Sequence, residues 1–136
     1  MKTIIAKDKE QLKALIREAI KKDGYECDLN FIDVSKITNM SGMFMDSKFN
    51  GDIGEWDVSS VTNMKGIFSG DCEFNGDISK WNVSNVTNMS WMFTYSNFNG
   101  DVSNWDVSNV TDVRNMFAES EFNGNISKWK NKPENI

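Results

Sequence analysis

The chain has 136 residues and a net charge of −5, with 39% hydrophobic residues, an aromatic share of 12% and no histidine. That length fits one compact domain, and an acidic chain without a basic run excludes nucleic acid, whose binding rests on neutralising phosphates. Without histidine, the commonest general base and metal ligand are both missing, so a Ser-His-Asp or Cys-His site is impossible.

The N-terminal segment comes first. Ile4, Ile5 and Ala6 form an apolar patch too short for a secretory signal core. No stretch reaches the run of about 18 apolar residues that spans a bilayer, so membrane insertion is not expected. As the sequence stands, a cytoplasmic location is expected, and a cell-surface one if the chain is part of a longer protein. Residues 1–24 carry a net charge of +3, against −8 for the remaining 112. Asp8 with Gln11 reads as a capping-box-like helix start, and Leu12, Leu15, Ile16, Ala19 and Ile20 form one apolar stripe. Lys21 and Lys22 suit the last turn and Gly24 the position after it. Residues 1–24 are therefore expected to be an amphipathic helical cap.

Residues 25–136 are repetitive. Phe49-NGDIGEWDVSSVTNMKGIF, Phe74-NGDISKWNVSNVTNMSWMF and Phe98-NGDVSNWDVSNVTDVRNMF are one unit written three times; Tyr25 opens a divergent copy and Phe122 a truncated one. The period is 24, with one extra residue between Phe68 and Phe74. Seven apolar columns result, headed by Tyr25, Leu29, Ile32, Val34, Ile37, Met40 and Phe44. Stacking each on its own kind builds a core that no single unit could bury. Two-residue spacing at Trp56 and Val58 predicts a short strand, and spacing of three or four from Val61 to Phe68 predicts one or two turns of helix. The expected fold is thus a repeat solenoid of leucine-rich-repeat-like 24-residue coils, each of strand, helix and return loop. About four and a half coils, closed by Lys128, Lys130, Lys132 and Pro133, read as a complete array whose edge is blunted.

Thr62-Asn63 and its counterparts look like helix N-caps, and the Asn-Gly pairs like return turns in which glycine takes a positive φ. The aspartates of the next column (Asp28, Asp52, Asp77, Asp101) fit backbone N–H acceptors better than a cation ladder, because position 125 is Asn. The threonine column lacks the paired arrangement of an ice-binding face, and the Asn-x-Ser/Thr sequons read as turn residues. Cys27 and Cys72 stand two coils apart, roughly 10 Å at strand spacing, beyond disulfide reach. Both are expected to be free thiols.

The string F-N-G-D-I-S-x-W-D-V-S-N-V-T-N-M-x-x-M-F resembles the BspA-like bacterial surface-protein repeat family, found in mycoplasma and Listeria lipoproteins and classed near the leucine-rich repeats. The likeness spans about residues 9–130 and includes the helical lead-in KEQLKALIREAIKKDGYECDLNFIDVS. It implies a solenoid fold and a loose association with adhesion or protein binding, and it implies no catalytic residue.

In a repeat protein the slots that depart from consensus are those not committed to the core. Trp91 stands where other units have Gly42, Gly66 and Asn115; Tyr95 stands where they have Asp46, Gly70 and Glu119. On a helix the two would share a face. Trp91, Tyr95 and Arg114 are the candidate partner-binding residues; the competing reading is that Trp91 covers a neighbouring coil. A polar strand face of small residues, from Ser35 to Asn109, is a second candidate surface. The expected function is a non-enzymatic, monomeric protein-binding scaffold with no cofactor or metal. The alternative is a self-assembling structural or adhesion protein stacked end to end.

Overall fold

The computed structural model describes residues 2–134. Helix α1 spans Lys9–Asp23. The Asp8 carboxylate accepts from the Gln11 N–H at 2.8 Å, and the Gln11 side chain accepts from the Lys7 N–H at 2.7 Å. One orphan donor of the first turn, and the N–H just ahead of the cap, are thereby satisfied. The helix ends at Gly24, whose N–H donates to the Ile20 carbonyl with φ at 88°. Leu12, Ile16 and Ala19 are buried against the first repeat. Ahead of the helix, β1 (Ile4–Ile5) pairs in parallel with β2 (Ile32–Asp33). The short Ile4-Ile5 patch therefore has a structural use that its composition does not reveal.

Beyond α1, residues 25–48, 49–73, 74–97 and 98–121 lie one on another. Phe44, Phe68, Phe93 and Phe117 form a column with centroids 5.4–5.7 Å apart. Phe49, Phe74 and Phe98 form a second at 6.1–6.2 Å. Trp56, Trp81, Trp105 and Trp129 form a third at 6.3–6.5 Å. Each of these indoles donates its Nε1–H to a carbonyl of the preceding repeat, at Leu29, Ile53, Ile78 and Val102, over 2.8–3.0 Å. A buried tryptophan needs such an acceptor, and the stack supplies it at every level. Tyr25 departs from its column: it is half-exposed, whereas Phe49, Phe74 and Phe98 are fully buried.

The segments expected to be helical are chains of tight turns. Helix would send every N–H to the residue four back, but here alternate N–H groups leave the repeat altogether. Those of Met40, Gly42, Phe44 and Asp46 donate to Asn63, Lys65, Ile67 and Ser69 of the next repeat. The pattern recurs from Met64, Gly66, Phe68 and Gly70, and again from Met89, Trp91, Phe93 and Tyr95, always at 2.8–3.0 Å. The intervening Met43, Met45 and Ser47 N–H groups close local turns three residues back. Spacing of three or four in the sequence reflects these alternating turns as well as it would a helix. The strand expected at Trp56–Val58 is likewise absent; parallel pairing occurs as single bridges, Asn39–Asn63–Asn88–Asp112 and Asp28–Asp52.

Three other local expectations change. Cap-like bonds come from Asn, whose Oδ1 accepts from the residue two on (Ser41, Lys65, Ser90), while the Thr hydroxyls bond the Thr carbonyl of the preceding repeat. The Asn of each Asn-Gly pair links levels, with Asn50, Asn75 and Asn99 each accepting from the next Asn N–H at 2.8–2.9 Å. Its glycine has no positive φ. Gly76 is there because a Cβ would lie 2.7 Å from the Phe74 ring. Among the described residues, no helix is long and apolar enough to cross a membrane.

Candidate functional site

The turn segments set the backbone at two slots per repeat to φ near +60° regardless of side chain. Glycine fills these slots at Gly42, Gly66 and Gly70, and the others hold Asp46, Trp91, Tyr95, Asn115 and Glu119 with φ of 53–61°. Only glycine adopts that region without penalty, and Asn or Asp tolerates it. Asp46 also has local work, its Oδ1 accepting from the Asp71 N–H at 2.9 Å. Trp91 and Tyr95, both at φ 61°, have no such compensation.

What these two residues do follows from their neighbours. Trp91 is 43% exposed and Tyr95 62%, although the rest of their segment (Ser90, Met92, Phe93, Thr94, Ser96) is buried. In the preceding repeat both slots carry glycine, and in the first repeat the first slot does, while the second holds Asp46. Gly66 and Gly70 thus form a floor, Trp91 and Tyr95 rise at one side, and the half-exposed Met45 lies at the other. The open groove they line has a volume of about 730 Å³. A Cβ on Gly66 would lie 3.2 Å from the Ser69 hydroxyl and in ordinary contact, at 3.4 Å, with the Met45 methyl. Trp91 N–H donates to the Arg114 carbonyl, Tyr95 N–H to Ala118, and the buried Thr94 hydroxyl to Asn115, which fixes the wall from behind. Among the described residues, neither the Trp91 indole N–H nor the Tyr95 hydroxyl has a hydrogen-bond partner, unlike the indoles of the four buried tryptophans.

Sequence reasoning brings Trp91 and Tyr95 together, and they do share this groove, through successive left-handed turns. It misses Met45 and the glycine floor, whose signal was the coincidence of Gly42, Gly66 and Gly70 in the slots beside the two aromatics. Arg114 lies elsewhere. Its guanidinium makes a two-bond contact with Asp112 of its own turn, at 2.9 and 3.0 Å, and does not line the groove. Asp112 raises the Arg114 pKa, and that bond and pairing lower the Asp112 pKa.

The acidic columns are occupied by the backbone. Asp52, Asp77 and Asp101 accept the N–H two residues on at 2.9–3.0 Å, as do Asp33, Asp57 and Asp106. Bonds to Ser59 and Ser79 hold the Asp57 and Asp77 carboxyls below the usual carboxylate range; Asn30 does so first for Asp52. Cys27 and Cys72 are free and buried, and burial pushes the Cys72 thiol up to about 11. Such a thiol is a poor nucleophile and a poor metal ligand at neutral pH.

A family described as Mycoplasma protein of unknown function, DUF285, matches residues 11–129, and the chain belongs to that family. No curated protein matches the chain, and no solved structure does.

Proposed function

We propose that this member of the DUF285 family is a non-enzymatic protein-binding scaffold of leucine-rich-repeat-like solenoid type. Its partner would insert a bulky apolar side chain over Gly66 and Gly70, between Met45 and the Trp91–Tyr95 wall. The observation that carries this reading is the pair of exposed aromatics held at φ 61° in slots that glycine occupies one repeat earlier. Tyrosine and tryptophan are the residue types that dominate binding hot spots, and methionine adapts to varied apolar partners. The finer likeness to BspA-like surface-protein repeats is in keeping with protein binding. The commitment of the Asp columns to turns, the raised thiol pKa values and the lack of histidine support a function without catalysis.

The test uses affinity capture with the wild-type chain and with a Trp91→Gly/Tyr95→Gly variant, then titration of the captured protein in purified form. Trp91 is the only exposed tryptophan; the other four are 3–4% exposed, so a change in accessible-indole fluorescence reports on the groove. Binding that shifts this signal and is lost in a variant of unchanged melting temperature supports the proposal. A partner bound equally by both chains overturns the groove as its site.

A further inference from the structure

The groove at Trp91 and Tyr95 carries opposite charge at its two ends. Beside Trp91, the residue ahead of Gly66 is Lys65, exposed and part of the lining. Ser41, one repeat earlier, holds Lys9 Nζ on its Oγ at 2.8 Å, a second cation at that end. Beside Tyr95 the charge is negative. Asp46, Gly70 and Tyr95 fill one slot in successive repeats, and a Cβ on Gly70 would meet the Asp46 carboxylate, which therefore leans over the groove floor. Its Oδ1 accepts from the Asp71 N–H at 2.9 Å, which brings the exposed Asp71 to the same end. Among the described residues Asp46, Asp71 and Lys65 make no ion pair, and neither does Lys48, the cation nearest Asp46 in the chain. Arg114, in the same column as Lys65, is by contrast already held by Asp112. The Asp46 carboxylate has acceptor sites beyond its bond to Asp71. Tyr95, 62% exposed, stands across Gly70 from it.

We propose that the occupant of this groove is an extended peptide segment bearing an arginine, whose guanidinium sits between the Asp46 carboxylate and the Tyr95 ring while a neighbouring apolar side chain fills the space over Gly66. This inference rests on the groove being the partner site, and it names the partner's charge. An acidic segment is repelled at the Asp46–Asp71 end, and residues 25–136, at a net −8, favour the approach of a cation. Arginine fits better than lysine, because its planar fork pairs with a carboxylate through two hydrogen bonds and lies flat on an aromatic face. Lys65 fixes the direction, since it repels the arginine from the Trp91 end. In an extended backbone residues i and i+2 share a face, so one spacer residue separates the apolar side chain from the arginine.

The test is titration of Trp91 fluorescence and of the Trp91 and Tyr95 amide resonances with three probes at low salt. The probes are acetyl-Leu-Gly-Arg-amide, its citrulline counterpart, which keeps the shape without the charge, and acetyl-Arg-amide. The arginine tripeptide binds about fivefold tighter than the citrulline one, the gain of an exposed charge pair with an aromatic face. Salt at about 0.5 M erases most of that difference. Asp46→Asn, which tolerates the left-handed backbone and keeps an oxygen for the Asp71 N–H, brings the ratio to about one at an unchanged melting temperature. Equal binding of the two tripeptides to the wild-type chain overturns the proposal and leaves the apolar groove standing. An arginine preference that survives Asp46→Asn overturns it, because the cation then sits elsewhere. Acetyl-Arg-amide binding as tightly as the tripeptide overturns it too, because the arginine then needs no apolar neighbour. Probes that leave both the Trp91 and Tyr95 signals unmoved overturn it together with the groove.

Discussion

Comparing Trp91→Gly with Trp91→Ala isolates the backbone from everything the indole does. Both variants remove the ring, so lost packing and lost binding cancel between them. At φ 61° an alanine carries the left-handed penalty of about 1–2 kcal/mol, and glycine does not. Glycine surrenders more entropy on folding, about 0.5–1 kcal/mol, so the glycine variant should be more stable by about 1 kcal/mol net. Were residues 89–93 a helical turn, the sign would reverse, with alanine ahead by about 0.8–1.0 kcal/mol. The two pictures thus differ by about 2 kcal/mol, and in a chain of this size each kcal/mol moves Tm by roughly 3–5 °C. Thermal and urea melts followed by circular dichroism measure the difference directly. A Trp91→Ala protein that melts above Trp91→Gly refutes the turn geometry, and with it the argument that the aromatics are kept against a backbone cost. The same comparison at Tyr95, also at φ 61°, should give the same sign.

Gly76→Ala should destabilise by about 1–3 kcal/mol through overpacking against the Phe74 ring, measured by urea titration; because the cause is steric, Gly76→Asn, although Asn tolerates a positive φ, fares no better. Trp81→Phe should cost about 0.5–1.5 kcal/mol beyond its lost area, since the indole bond to the Ile53 carbonyl is lost while that carbonyl still accepts from the Trp56 N–H. The carboxyls of Asp33, Asp52, Asp57, Asp77 and Asp112 titrate lower folded than unfolded, so their contribution is present above the unfolded value of about 3.9 and is lost as pH falls through the lower folded values. Tm should therefore drop below about pH 4. Asp57→Asn should flatten that drop, as Asn82 and Asn125 already make the same bond in other repeats; an unchanged pH profile would count against the turn role.

The columns were legible because a repeat writes its core several times over: Phe44, Phe68, Phe93 and Phe117 could be aligned without knowing the backbone between them. So was α1, whose stripe and caps are local signals. What the sequence hid was the partner of each backbone N–H. Met40 to Phe44 has helical spacing, yet its alternate donors point to a neighbouring level, and that choice is made by the stack rather than by the segment. Gly51 and Gly76 misled for a related reason. Asn-Gly is a strong turn signal, but here Gly76 answers to a phenylalanine ring two residues back, and Gly51 first to the Cys27 carbonyl of the preceding repeat. Trp91 and Tyr95 stood out as departures from consensus. Met45 did not, because its neighbour-to-be is the bare backbone of Gly66, and an absence of side chain leaves no mark in a column of apolar letters.

The same ladder explains why a site can arise at these slots at all. Once four N–H groups per level are tied to the next repeat, the turn's φ values are fixed by neighbours above and below, so a non-glycine occupant carries a backbone penalty, and at Gly70 a Cβ would also meet the Asp46 carboxylate. Glycine is the cheapest occupant, and Asn or Asp the next. A large aromatic in such a slot carries a backbone penalty and, at 43–62% exposure, leaves about half of its surface in water. Two of them four residues apart, facing a floor from which side chains have been removed, are therefore best understood through what lies outside the chain. The left-handed slots of repeat 3 could hold glycine as those of repeat 2 do, so the difference between Gly66-Gly70 and Trp91-Tyr95 is what the proposed partner site rests on.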